Sequence, residues 1–220
     1  MKRIDLYHGS SSILKMPIFG YDNKHNEYGT GFYCTKYKEL AKEWSSTQSY
    51  NGYSNHYEID IDGLNILNLQ NENYSLLNYL ALIVNNRIFS KNTPLMKLAS
   101  DWLVNNYLVD IKDQDIIIGY RCDDSYFSFV RAFLRNEISL EQLSHALSLE
   151  DFGTQIVLKS KKAFDRIEFI DYELTDKEQY YKNRCDRDLN ARKLVFEDNA
   201  PKSLEGLFII DLLKQDNENA

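Results

Sequence analysis

Tyr28-Gly-Thr-Gly-Phe-Tyr-Cys-Thr35 is the stretch from which the fold of this chain can be read. Gly29 and Gly31 lead directly into an aromatic, β-prone run. Glycine at such points admits a tight backbone approach, so the pattern predicts a turn feeding a short strand over residues 30–35. A strand alternates its faces, which puts Tyr33 and Thr35 on one side and Phe32 and Cys34 on the other. Upstream, Leu6-Tyr-His-Gly-Ser-Ser11 closes a first strand, residues 3–8, at a His-Gly-Ser corner. A polar loop over residues 9–29, with Pro17, Gly20, Asp22 and Asn23, joins the two; loops of this length inside a domain tend to be functional or mobile.

Working outward, Tyr37, Leu40, Ala41 and Trp44 fall at helical spacing and predict an amphipathic helix over 36–48. Residues 49–54 read as a turn. Tyr57–Ile61 alternates as a strand, Asp62-Gly63 turns, and Leu64–Leu69 returns, which together predict a hairpin. Leu76, Leu77, Leu80, Ile83, Val84 and Ile88 mark a helix, and Pro94 opens another with the stripe Leu95, Leu98, Ala99, Trp102 and Leu103. Asp115–Ile118 is a short buried strand ending at Gly119. Asp123-Asp124-Ser125 offers an N-cap for a helix through Arg131 and Leu134, and Ser139 with Gln142 forms a capping box for residues 140–147. Residues 153–159 and 166–173 are the last strands. Thr175 with Glu178 caps a charged helix through about residue 194, and 206–214 is a short apolar element before a polar tail. Strands interrupted by helices predict an α+β fold. The organisation expected is a single domain over 1–220, with a helical insertion at about 73–147 and a C-terminal helical segment at about 175–214.

Composition narrows the function classes. The chain has 220 residues, is 43% hydrophobic and carries a formal charge of −7, so it can bury a core and has no global attraction to nucleic acid or anionic lipid. Cys34, Cys122 and Cys185 are odd in number and widely spaced, which fits free thiols in a reducing compartment. Met-Lys-Arg-Ile-Asp at the start has no apolar run behind it, and no window is long enough to span a bilayer. A cytoplasmic protein without a membrane partner is therefore expected. His8, His25, His56 and His145 lack metal-ligand spacing, so no metal is expected. Phosphate loops, dinucleotide fingerprints, nucleophile elbows and His-Glu-x-x-His are absent. The sixteen tyrosines read as a biased composition rather than a binding surface.

His8-Gly9-Ser10 followed by Gly29-x-Gly31-Phe32-Tyr33 resembles the ADP-ribosyltransferase family, in the branch that includes diphtheria toxin and the poly(ADP-ribose) polymerases. The resemblance implies a split mixed or antiparallel sheet holding NAD, as co-substrate, in a cleft. It implies that His8 bonds the adenosine ribose, that the Gly9 backbone grips the nicotinamide carboxamide with Ser10 in support, and that Tyr33, on the strand opened by Gly31, stacks on the nicotinamide ring. The plain alternatives are a strand-end histidine capping its loop and a core tyrosine.

A third family motif places a glutamate at the start of a strand; here Thr154-Gln155-Ile156-Val157-Leu158 puts Gln155 there. An amide can hold a ribose hydroxyl but cannot serve as a carboxylate base. Single ADP-ribose transfer or NAD hydrolysis is then expected rather than chain elongation. Gly119-Tyr-Arg-Cys-Asp-Asp-Ser-Tyr126 resembles a segment of a bacterial subfamily whose genes commonly sit beside small antitoxin genes. Asp123 or Asp124 is accordingly a candidate for the missing carboxylate, with helix capping as the alternative; Glu150 and Asp151 are weaker candidates. The expected activity is transfer from NAD to a macromolecular acceptor, protein or nucleic acid, by a toxin with a cognate antitoxin protein, for which Leu207–Leu213 is a candidate docking element. The alternatives are a non-catalytic NAD- or ADP-ribose-binding or interaction module, and an NAD glycohydrolase. Lys182, Arg184, Arg187, Arg192 and Lys193 read as a solvated helix face, with a contact for nucleic acid or an acidic partner as the second reading.

Overall fold

The computed structural model describes residues 2–21, 24–121, 124–148, 154–193, 196 and 206–218. Strands β1 (Arg3–Ser10), β3 (Gly52–Asp60) and β7 (Ile167–Thr175) form an antiparallel sheet in the order β1-β3-β7. A second sheet has the order β2-β6-β5-β4, from β2 (Phe32–Cys34), β6 (Thr154–Leu158), β5 (Ile116–Tyr120) and β4 (Ile66–Asn68). Its pairs are antiparallel except β4 with β5, which run parallel. The molecule is thus α+β with one antiparallel and one mixed sheet.

Two apolar clusters follow from the period-2 alternation of the strands. Leu6, Phe32, Cys34, Tyr57, Ile156 and Leu158 fill one. The opposite face, carrying Ile117 and Val157 with Tyr33 against them, packs under the helices. Those helices are α2 (Leu76–Asn86), α3 (Pro94–Tyr107), α4 (Asp124–Leu134) and α5 (Leu140–Ser148), with α8 (Ile209–Glu218) joining them. Thr93 caps α3 by accepting from the Met96 N–H, with Pro94 in the first turn. Ser139 and Gln142 exchange both capping-box bonds at the head of α5. Helix α1 (Lys38–Ser45) lies across β1 and β3, and α6 (Lys161–Phe164) is a single turn before β7.

Four local expectations are corrected. The segments around Asp62-Gly63 do turn, with Gly63 at φ 66°, but they do not form a hairpin. β3 and β4 belong to different sheets, because Asn65 is captured by Asp115: its N–H donates to the carboxylate at 2.8 Å and its carbonyl accepts the Asp115 N–H at 2.9 Å. The expected turn at 49–54 already contains the start of β3 at Gly52. Ile88 and Leu98 fall outside the buried stripes and are exposed. Helix α7 (Lys177–Lys193) is not capped by Thr175, which ends β7; Asp176 accepts from the Glu178 N–H at 3.0 Å, and Asn51 accepts from the Lys177 N–H at 3.0 Å. No described helix is long and apolar enough to cross a membrane.

Candidate functional site

The two sheets touch at one backbone bridge and then part. Tyr7 and Thr35 exchange both main-chain hydrogen bonds, at 2.7 and 2.9 Å. In an antiparallel ladder residues of the same parity turn their N–H and C=O to the same side. Gly9 therefore directs both backbone groups toward β2, where continued pairing would set it opposite Tyr33. That pairing does not form. The His8 ring occupies the seam instead, with Nδ1 at 2.8 Å from the Tyr33 carbonyl. A carbonyl only accepts, so Nδ1 carries the hydrogen of this bond. The ring also lies 4.6 Å from that of Phe32. On this face His8 borders a cavity of about 190 Å³ shared with Leu14, Ile18, Tyr21, Phe32 and Phe164.

Each predicted residue at the seam also has a role within the fold. A Cβ on Gly9 would lie 2.0 Å from the Ala41 carbonyl oxygen and 2.7 Å from the Ser45 nitrogen, so this glycine lets α1 cross β1. Its missing side chain faces α1, and its main chain faces the gap. Gly31 is similar, since a Cβ there would meet Val157 Cγ1 at 2.6 Å and the Leu158 oxygen at 2.8 Å. The Ser10 hydroxyl donates to the Ser12 carbonyl at 2.6 Å and accepts from Asn55 at 2.9 Å, which fixes the strand end. Tyr33 is half-buried, and its hydroxyl donates to the Gly29 carbonyl at 2.6 Å while accepting from the Tyr28 N–H at 3.2 Å. These bonds hold the ring to the glycine turn.

Gln155 sits opposite Gly119 in the β5–β6 register and shares the face of Val157 and, across the sheet, of Tyr33. It is 5% exposed, and its Nε2 has no hydrogen-bond partner among the described residues. The Trp44 indole nitrogen on α1 is buried and likewise lacks an acceptor there. Arg121, two residues beyond Gly119, is buried with its guanidinium carbon 5.0 Å from the Trp44 ring centroid and 6.0 Å from that of Tyr126. Trp44 and Arg121 are candidate site residues that the sequence reading did not single out. Trp44 fell on an amphipathic stripe and read as core, while the signal for Arg121 was its place between Gly119 and the paired aspartates. Asp123, Glu150 and Asp151 lie outside the described residues, and Asp124 is described only as the first residue of α4.

Charge near Trp44 is organised by α1 and α7. Arg187 pairs with Glu43, and both side chains are largely buried. Lys42 reaches Glu39 at 2.9 Å, Glu173 at 3.0 Å and the Tyr180 hydroxyl at 3.2 Å. Burial opposes the Lys42 charge, but hydrogen bonds to Glu39, Tyr180 and Glu173 outweigh it and raise its pKa. The Cys34 thiol is free and buried, and burial pushes its pKa well up; Cys185 is free on α7, while Cys122 lies outside the described residues. Among the described residues, no group of three His, Cys, Asp or Glu side chains is placed to hold a metal ion.

Comparison with known proteins adds one finding. No curated protein and no solved structure matches the chain. A family model, described as a protein of unknown function (DUF3990), matches residues 4–169, from the start of β1 into β7, and so takes in the seam, Trp44, Arg121 and Gln155. The chain belongs to this DUF3990 family.

Proposed function

We propose that the protein is an NAD-dependent mono-ADP-ribosyltransferase, acting on a macromolecule as a toxin held in check by an antitoxin protein. The observation that carries this reading is the opened seam, in which Gly9 turns an N–H and a C=O toward Tyr33 without pairing to β2. A donor and an acceptor side by side complement a carboxamide, which offers a C=O and an N–H in return. The Tyr33 ring, held by its hydroxyl, gives a π face suited to a cationic pyridinium. His8 and Gln155 supply polar atoms for ribose hydroxyls from opposite faces of the seam. Such a site favours cleavage by fixing the carboxamide and the ribose while the positive ring departs as neutral nicotinamide.

The test uses NAD labelled on its adenine side, purified protein and a bacterial lysate. Label on a macromolecule, lost in Tyr33→Ala and His8→Ala variants that remain folded, is the expected result. Full activity in both variants overturns the site. A second reading, a non-catalytic NAD- or ADP-ribose-binding module, is favoured by the neutral Gln155; calorimetry would then show NAD binding without turnover. Free ADP-ribose with no labelled macromolecule would identify a glycohydrolase instead. For the antitoxin, the C-terminal segment has Leu207 and Ile210 exposed beside the buried Ile209 and Leu213. Truncation before Leu207 is expected to abolish capture of a co-expressed antitoxin.

A further inference from the structure

The glycine turn that holds Tyr33 is gripped from its other side by a lysine. Lys159 directly follows β6 and is half-buried. Its ammonium donates to two carbonyls of the turn, those of Tyr28 and Thr30. Its aliphatic stem runs so close that a Cβ on Gly31 would lie 3.2 Å from Lys159 Cδ. Between the two gripped carbonyls, Gly29 at φ 72° gives its own carbonyl to the Tyr33 hydroxyl at 2.6 Å. The Tyr28 N–H donates to the same hydroxyl at 3.2 Å. Of three consecutive carbonyls, the outer two thus belong to Lys159 and the middle one to Tyr33. Lys159 is itself anchored. Its main-chain N–H donates to the Asp115 carbonyl at 2.8 Å, and the Ser160 hydroxyl donates to the Asp115 carboxylate at 2.5 Å. Tyr28 is buried, with its hydroxyl on the Tyr120 carbonyl at 2.9 Å, so the turn is fixed at that end as well.

We propose that Lys159 is a positioning residue for the NAD site, fixing the Tyr28–Thr30 turn so that the Tyr33 ring is held in the orientation in which it stacks on nicotinamide; this rests on the NAD reading above. Lys159 does not touch the ligand. It acts through the turn and the Tyr33 hydroxyl. Ordering a lysine side chain costs rotamer entropy, and water alone can solvate the carbonyls of a turn. What the ammonium adds is stiffness, because two charge-assisted bonds to alternate carbonyls stop the turn from rocking. Without that grip the turn and the ring sample more positions, and NAD must order them on binding. The π face attracts a cationic pyridinium and holds the departing neutral ring less strongly. Loss of the stack therefore weakens NAD binding more than it slows the chemical step.

The experiment is calorimetric titration of NAD into the wild type, Lys159→Met, Tyr33→Phe and the double variant, with a thermal melt of each. Lys159→Met keeps the stem and loses the grip; it should raise the NAD Kd about tenfold, with turnover at saturating NAD little changed. Tyr33→Phe should raise Kd by a similar factor. The double variant should bind no more weakly than the weaker single variant, because both changes cut the same relay. Lys159→Arg offers two donors to the same carbonyls and should recover most of the affinity. Lys159→Gln keeps a donor for one carbonyl and should fall between, and it carries the test if Lys159→Met does not fold. A merely structural lysine would lower the melting temperature and leave the Kd of the folded protein unchanged. Unchanged Kd in the folded Met or Gln variant, or independent effects that multiply to about a hundredfold in the double variant, overturns the relay and leaves the NAD reading standing. Absence of NAD binding by the wild type overturns the two together.

Discussion

The seam between the two sheets and the buried donors of Gln155 and Trp44 carry different kinds of evidence. At the seam every notable residue has work inside the fold: Gly9 admits α1, Gly31 admits β6, Ser10 holds Asn55, and Tyr33 ties down the glycine turn. Gln155 and Trp44 bury donors that no described residue answers. A residue that packing accounts for would be retained with or without a ligand. Buried polarity that packing leaves unanswered costs stability, and a ligand is the kind of partner that offsets it. Gln155 and Trp44 thus ask for a partner in a way the seam residues do not, although the seam was far more legible in the sequence.

Substitution tests this contrast directly. Gly9→Ala should have the largest effect, because backbone atoms of α1 stand where the Cβ must go; a loss of about 3 kcal/mol is expected, measured by denaturant unfolding. A stable Gly9→Ala protein that lost only NAD binding would reverse the contrast and make this glycine a ligand residue. Asp115→Ala is next. This carboxylate accepts from Ser160 at 2.5 Å, from the Asn65 N–H and from Lys162, so about 2 kcal/mol should be lost. Burial opposes ionisation of Asp115, but those three bonds outweigh it and lower its pKa. Its contribution is therefore complete above the ordinary aspartate range and disappears as pH falls through the lowered value. Thermal melts of wild type and Asp115→Ala should accordingly converge in acid.

Smaller changes sharpen the comparison. Tyr33→Phe removes one hydroxyl that both donates and accepts, and should cost about 1 kcal/mol while keeping the ring and most NAD turnover. Gln155→Leu should be close to neutral in stability or stabilising by up to about 1 kcal/mol, since it removes an unanswered buried amide, and should abolish transfer. Marked destabilisation by Gln155→Leu would show that the fold does use the amide, and the contrast with the seam would fall.

Strands β1, β2 and β6, the start of α3 at Pro94, the cap of α5 and the alternation of Tyr33 with Phe32 could be read locally, because each depends on residues a few positions apart. The hairpin at Asp62-Gly63 was misread because its turn signal is genuine, while the strand after it is claimed by Asp115, 50 residues away along the chain. Thr175 was misread as a cap because Thr175 and Glu178 have capping-box spacing, and only β7 running through Thr175 removes it from that role. Trp44 carried no motif of its own, and Arg121 lay within the Gly119–Tyr126 segment without being singled out; nothing local distinguishes a tryptophan on a buried stripe from one whose ring supports a guanidinium.

By itself the sequence determined most of the pieces: where the majority of strands and helices lie, the alternation of Tyr33 with Phe32, and the presence of a His-Gly-Ser corner ahead of a Gly-x-Gly strand. Those properties follow from the periods of the backbone and from glycine and capping chemistry within single elements. Only the tertiary structure decided that the sheets part after Tyr7 and Thr35, that Gly9 turns its missing side chain to α1 and its main chain to the gap, and that the Arg121 guanidinium lies over the Trp44 ring. Each of these is a meeting of elements distant in the chain, set by how two sheets and a crossing helix share one core.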